Sequence, residues 1–196
     1  IDEPLQLIAC AGSGKTEVLA QRIAKILAQP GVKPANVIAF TFTEKAAAEL
    51  KERIHRVVHQ QIPDIVGLAE MYVGTMHGYC LDMLQTYIPE TFKYGVLTDV
   101  TQQLLIDRES RNSGLSTCTK LVGGVEQNLK RYQDTKVFKG ALAILQEDAV
   151  EQTLVPDAVK TSLGLYRELL FRKKYFDYTS MMVDAVGFLE RSQTAA

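Results

Sequence analysis

Hydrophobic positions in the N-terminal third of the chain alternate between a buried-strand rhythm and a helical one. Leu5-Gln6-Leu7-Ile8-Ala9 is an apolar run with no helical period, stopped by Gly12 and Gly14, and it predicts a buried strand. Leu19, Ile23, Ile26 and Leu27 then recur at i, i+4, i+7 and i+8, one face of a helix that ends before Pro30-Gly31. Asn36-Val37-Ile38-Ala39-Phe40 predicts a second buried strand. Ala46, Ala47, Leu50, Ile54, Val57 and Val58 mark a second helix, with Glu49–Arg53 and Glu52–Arg56 spaced as pairs on its outer face. Thr41 and Glu44 have capping-box spacing, and Thr43 is an alternative N-cap. A third unit follows, with Met71-Tyr72-Val73 as a short strand and Thr75 to about Tyr87 as a helix. Strands alternating with helices predict a parallel, doubly wound sheet.

Past Pro89 the texture changes. Residues 98–174 show helical periods and no convincing buried strand, with breaks at Ser113-Gly114, Gly123-Gly124 and Pro156, so a separate helical subdomain is expected there. No internal repeat or low-complexity segment interrupts the chain.

Composition narrows the class without choosing a function. The chain has 196 residues, 46% hydrophobic and 23% charged, enough to bury a full core and ordinary for a globular protein. No apolar run approaches the roughly 18 residues of a membrane span. The opening Ile1-Asp2-Glu3-Pro4 lacks a Met and the pattern of a signal peptide, and reads like a chain first seen partway into a longer protein. Cys10, Cys80 and Cys118 are widely spaced with no CxxC, which suggests neither a disulfide framework nor a zinc site and fits a reducing cytoplasm. Lys plus Arg number 22 against 23 Asp plus Glu, so any contact with a polyanion must be local. One local excess exists, where Arg108, Arg111, Lys120, Lys130, Arg131, Lys136 and Lys139 outnumber Glu109, Glu126 and Asp134. It reads either as solvated surface or as a face that contacts phosphates.

Candidate chemistry begins at Ala9-Cys10-Ala11-Gly12-Ser13-Gly14-Lys15-Thr16, a match to [AG]-x-x-x-x-G-K-[ST] between an expected strand and an amphipathic helix. Gly12 and Gly14 let the backbone curl so that successive N–H groups face one cavity, and the helix N-terminus adds its positive end. In such a loop the Lys15 ammonium reaches the β- and γ-phosphates of a nucleotide such as ATP, and the Thr16 hydroxyl ligates Mg²⁺. A glycine-rich turn with an incidental Lys-Thr is the plain alternative. After the second strand, Thr41-Phe42-Thr43 places two hydroxyls and an aromatic ring at the C-terminal edge of a parallel strand, where ligands bind in such sheets. A base could stack on Phe42 while Thr41 and Thr43 bond phosphates, or Phe42 could belong to the core.

Three stretches in order, Ala11-Gly12-Ser13-Gly14-Lys15-Thr16, Phe40-Thr41-Phe42-Thr43-Glu44-Lys45-Ala46-Ala47 and Gly74-Thr75-Met76-His77-Gly78-Tyr79-Cys80, resemble motifs I, Ia and Ib of UvrD/Rep-type superfamily 1 helicases. Tyr175-Phe176-Asp177-Tyr178 resembles the "FDF" stretch that precedes the Walker B strand in that family. The resemblance implies an α/β P-loop NTPase of RecA-like fold, a parallel sheet flanked by helices and interrupted by a mainly helical 1B-like insertion. On that pattern residues 1–89 and 171–196 form the RecA-like ATP-binding domain, in part, and 90–170 the insertion. It implies an ATP-dependent DNA helicase using ATP and Mg²⁺ and moving 3′-to-5′ on single-stranded DNA, with single-stranded DNA and ss/ds junctions as partners. It implies that Thr41, Phe42 and Thr43 touch the strand and that Thr75 and His77 contact its backbone or support the groove. A prokaryotic, nucleoid-associated cytoplasmic protein is the matching location. His77 could equally be a cap at a helix start, and His55 and His59 read as structural or solvated.

The family's adenine-reading segment is expected before residue 1, and its Walker B pair, motifs III to VI and C-terminal RecA-like domain after Ala196. The 196 residues are therefore expected to be the N-terminal portion of a motor, inactive alone. Two look-alikes of Walker B occur at Leu104-Leu105-Ile106-Asp107 and Met181-Met182-Val183-Asp184, both in segments with helical spacing. They leave room for two other readings. One is a self-contained P-loop enzyme, such as a small-molecule kinase, with Asp107 or Asp184 on the metal. The other is a binding module that never hydrolyses its nucleotide.

Overall fold

The computed structural model describes residues 4–10, 12–147 and 155–194, which divide into two compact units, Ile1–Tyr79 and Cys80–Ala196. In the first, α1 (Lys15–Leu27) leads through a short 3₁₀ turn (Pro34–Asn36) to β1 (Ile38–Thr41), then α2 (Glu44–Gln61), a second 3₁₀ turn (Leu68–Glu70) and β2 (Tyr72–Thr75). The helix α3 (Met76–Tyr87) begins directly after β2. The strands β1 and β2 pair in parallel, with Ile38 opposite Tyr72 and Thr41 opposite Thr75. Parallel neighbours need a crossover, and α2 provides it.

The apolar stripes named from the sequence meet in one core. Ala20, Ile23, Ala24 and Leu27 of α1 lie against Leu50, Ile54, Val57 and Val58 of α2, with Val37 and Ala39 beneath. Full burial of a residue such as Ile54 stabilises the unit by about 1.5–3 kcal/mol. The charged faces are arranged differently from the i,i+4 expectation. Arg53 and Arg56 both turn to Glu17 of α1, at 3.7 and 4.0 Å, so the pairs run between helices. All three side chains are well exposed, and the contribution to stability is small.

One predicted element is absent. Residues 5–9 form no strand, and Leu5, Leu7 and Ile8 are exposed. An apolar run becomes a buried parallel strand only when a neighbour offers a ladder and both faces are covered. Among the described residues the sheet of this unit has two strands, β1 and β2, and neither pairs with the run. The fold is thus mixed α/β with small parallel sheets rather than the broad doubly wound sheet expected.

The second unit is mainly helical. Its elements are β3 (Gly95–Val96), α4 (Asp99–Arg108), β4 (Thr119–Val122), β5 (Val125–Asn128), α5 (Thr135–Glu147), α6 (Asp157–Lys173), β6 (Tyr175–Phe176) and α7 (Tyr178–Thr194). Leu97, Ile106, Leu115, Phe138, Leu142, Tyr166 and Leu170 fill the core. A two-residue parallel pairing joins β3 to β6, and β4 and β5 form an antiparallel hairpin about Gly123-Gly124. The hairpin escaped the sequence pattern because its strands are almost wholly exposed and carry no one-sided apolar alternation.

Buried carboxylates organise this unit. Asp177 accepts from the Tyr166 hydroxyl at 2.5 Å, from the Gln102 amide at 2.7 Å and from the Ser180 N–H at 2.7 Å. Asp107, 1% exposed, accepts from the Tyr132 N–H at 2.7 Å and from the Thr135 hydroxyl. Each carboxylate can be buried because donors replace the water it gives up.

Candidate functional site

The phosphate-loop motif lies between the irregular segment 4–10 and α1. Gly12 and Gly14 have φ of 75° and 86°, the left-handed region that a side chain resists. A Cβ at either position would meet nothing within 4 Å, so the space before the loop is open and the glycines answer to backbone shape. Gly14 is the N-cap of α1 and no side chain caps the helix, which leaves its first N–H groups directed outward. The Ser13 hydroxyl donates to the Cys10 carbonyl at 2.7 Å and closes the turn. Lys15 arches back over the loop, its Nζ donating to the carbonyls of Ala9 at 3.1 Å and Cys10 at 2.6 Å. Thr16 is exposed beside it. Ala11 lies outside the described residues.

This donor set fits a triphosphate and its magnesium ion. An uncapped helix start, a flexible ammonium and an exposed hydroxyl all favour negative oxygen, and Mg²⁺ takes few protein ligands while phosphates and waters supply the rest. Among the described residues no group of three or more His, Cys, Asp or Glu side chains could hold a metal by itself.

The second cluster forms where β1 and β2 end side by side. Thr41 and Thr75 face each other as the last pair of the ladder. Beyond Thr41 the chain turns outward at Phe42, whose side chain is 103% exposed, so it is no core residue. Thr43 is the N-cap of α2, its hydroxyl accepting from the Ala46 N–H at 3.1 Å, while the Thr41 hydroxyl donates to the Thr43 carbonyl at 3.0 Å. Across the edge, the Thr75 hydroxyl accepts from the Gly78 N–H at 3.1 Å and donates to Glu44 Oε1 at 2.9 Å. His77 stands half-buried in the first turn of α3. The five residues Thr41, Phe42, Thr43, Thr75 and His77 therefore gather at the C-terminal edge of one parallel pair, where two helices begin.

Two contributors were not singled out as site residues from the sequence. Glu44 was visible as a capping-box partner for Thr41, yet its carboxylate reaches β2 instead. Tyr72 lies beneath the cluster, its hydroxyl donating to the Thr75 carbonyl at 2.9 Å. A Cβ on Gly74 would approach that hydroxyl to 2.5 Å, so glycine there makes room for the ring. No spacing rule would have marked Tyr72, because its contact runs along its own strand.

The Walker B look-alikes sit on helices. Asp107 is in α4 and committed to Tyr132 and Thr135, and Asp184 is in α7, paired with Arg167. Neither ends a central strand, so the self-contained enzyme is not favoured. Among the described residues no helix is long and apolar enough to cross a membrane.

Known proteins resemble this chain along most of its length. Residues 1–196 match the sequence profile of the UvrD/REP helicase N-terminal domain. The ATP-dependent DNA helicase PcrA of Staphylococcus aureus is 30% identical over 200 residues, covering 96% of this chain and 25% of the relative. PcrA of Staphylococcus epidermidis is 29% identical over 198 residues with the same coverage. The chain thus spans about a quarter of the length of the curated relatives it matches. With the family profile matched from end to end, the chain belongs to the UvrD/REP helicase N-terminal domain family.

Proposed function

We propose that this chain is the ATP-binding N-terminal part of a UvrD-like DNA helicase, in which ATP hydrolysis drives movement along single-stranded DNA and opening of ss/ds junctions. Ala9 to Thr16 hold Mg·ATP, with Lys15 on the β- and γ-phosphates and Thr16 on the metal. Thr41, Phe42, Thr43, Thr75 and His77 form part of the single-strand groove. Residues 1–89 and 171–196 belong to a RecA-like body and 90–170 to a helical 1B-like insertion. The partner RecA-like domain supplies the remaining hydrolytic groups, and the protein works on the nucleoid of a prokaryotic cytoplasm.

One observation carries the reading. Phe42 stands fully exposed at a strand end, flanked by hydroxyls from two adjacent parallel strands. An aromatic left entirely in water at a ligand-binding edge is poorly explained by folding and well explained by a base that stacks on it. When bound, the nucleotide supplies the driving reaction. The chain's own residues bind its phosphates, replacing the two carbonyls that now hold Lys15, and keep the strand against α2 and α3. The test is phosphate release by the full-length protein. Single-stranded DNA should stimulate it, and Lys15→Ala should abolish it. Turnover indifferent to DNA would remove the helicase reading.

A further inference from the structure

Tyr72 opens β2, yet its hydroxyl lies at the other end of the strand, donating to the Thr75 carbonyl at 2.9 Å. We infer that Tyr72 is a positioning residue for the single-strand groove, fixing where the Thr75 hydroxyl and the first turn of α3, with His77, meet the strand. This role rests on the helicase reading for the identity of the ligand, and Tyr72 itself need not touch DNA.

The first support is the path of the side chain. Residues two apart in a strand share a face, so the Tyr72 ring passes over Gly74 to reach the carbonyl beyond it. A Cβ on Gly74 would stand 2.5 Å from the phenol oxygen and 2.7 Å from the ring carbon that bears it, closer than packed atoms allow. A Cβ on Gly78, in the first turn of α3, would meet the same oxygen at 2.9 Å and the Thr75 hydroxyl at 3.1 Å. Neither glycine has the left-handed backbone that calls for glycine on its own account. Glycine weakens strands and helices, and here two of them leave room for one phenol.

The second is what that phenol holds. The Thr75 carbonyl takes the Tyr72 hydroxyl, while the Thr75 hydroxyl accepts from the Gly78 N–H at 3.1 Å and donates to Glu44 at 2.9 Å. Thr75 is therefore fixed through its backbone and its side chain at once, at the point where β2 becomes α3.

The third is a set of three rings. Tyr72 stands edge-to-face with Tyr79 of α3, centroids 4.9 Å apart, and with Phe40 of β1 at 6.1 Å, while Phe40 and Tyr79 meet at 5.5 Å. Phe40 immediately precedes Thr41 and lies opposite Gly74 in the ladder, and Tyr79 stands two residues beyond His77. Such ring pairs favour a definite mutual orientation. Tyr72 thus ties together the segments that carry the cluster, β1 at Thr41, β2 at Thr75 and α3 at His77. The rings pack without the hydroxyl, but only the hydroxyl holds the Thr75 carbonyl, so one substitution separates the two roles.

The test is a double-mutant cycle on the full-length protein, reading single-strand affinity by fluorescence anisotropy and binding of an ATP analogue beside it. Tyr72→Phe keeps the rings and removes one hydrogen bond, and should weaken DNA binding about 2- to 10-fold while the ATP analogue binds as before. Thr75→Val should weaken DNA binding too, and adding Tyr72→Phe to it should cost less than about 2-fold more. That non-additivity follows from a role through Thr75, whereas a general loss of stability would lower binding of both ligands. Gly74→Ala drives a methyl against the phenol and should reproduce the Tyr72→Phe loss, which keeps the question answerable if Tyr72→Phe fails to fold. Unchanged affinity in Tyr72→Phe, with Thr75→Val and Phe42→Ala still weakening binding, would overturn the positioning role and leave the groove standing. Independent, multiplying losses in the double variant would overturn it as well. Unchanged affinity in both Phe42→Ala and Thr75→Val would remove the groove, and this role with it.

Discussion

The hydroxyl of Thr75 donates to the carboxylate of Glu44 at 2.9 Å, joining the end of β2 to the first turn of α2 across the strand-end cluster. The contact places a negative charge among residues proposed to meet phosphates. Glu44→Gln keeps an acceptor for Thr75 and removes the repulsion, a gain of about 0.5–1 kcal/mol for an exposed charge near a phosphate. Single-stranded DNA should bind roughly 2- to 5-fold tighter at low salt. Weaker binding would mean that the charge itself, through Thr75, is needed.

Phe42 offers the more direct probe of the groove. Stacking on an exposed aromatic contributes about 1–3 kcal/mol per base, so Phe42→Ala should weaken single-strand binding roughly 5- to 150-fold. The ring touches no core, and the melting temperature should not move. Equilibrium titration beside a thermal melt separates the two effects, and unchanged affinity would return Phe42 to the plain surface.

Asp107 should prove a folding residue. Asp107→Ala strands the Tyr132 N–H and the Thr135 hydroxyl, each costing about 1–3 kcal/mol when left unsatisfied. Urea unfolding should show that loss while binding of an ATP analogue persists. Lost nucleotide binding at unchanged stability would revive Asp107 as a metal ligand.

Acid should loosen the turn between β5 and α5. The Lys120 ammonium, then the Lys130 N–H, hold the Asp134 carboxyl below its ordinary value of 3.8. A carboxyl depressed in the folded state is stabilising above its unfolded pKa, and the contribution disappears as pH falls through the folded one. The melting difference between the wild type and Asp134→Asn should therefore be constant above about pH 5 and shrink below the ordinary carboxylate range. A difference that grows on acidification would contradict the pairing.

Helices were legible in the sequence wherever an apolar stripe met a partner stripe, as between Ile23 and Ile54, because the 3.6-residue period is local. Thr41, Phe42, Thr75 and His77 could be placed at strand ends for the same reason, since strand and helix limits bracket them. What failed was non-local. Leu5 to Ala9 has the composition of a buried strand but no ladder, and a ladder is a property of two segments. Arg53 and Arg56 lay at pairing distance from Glu49 and Glu52 along their helix yet reach Glu17, since α1 brings a carboxylate that spacing cannot reveal. Glu44 was noticed by spacing and assigned to Thr41, while its partner is 31 residues away.

Nucleotide binding by the chain itself bears most directly on the central claim, that Gly12 to Thr16 cradle the phosphates of Mg·ATP. Lys15 now bonds two loop carbonyls, and a triphosphate would exchange them for stronger, charge-assisted partners. Asp107 and Asp184 are bound elsewhere, so phosphate release by the chain alone should not exceed that of Lys15→Ala. Titration with a fluorescent ATP analogue and magnesium should show saturable binding, weakened at least about 10-fold by Lys15→Ala, as removal of a charge-assisted contact implies. Binding of equal strength in Lys15→Ala, or none in the wild type, would contradict the account.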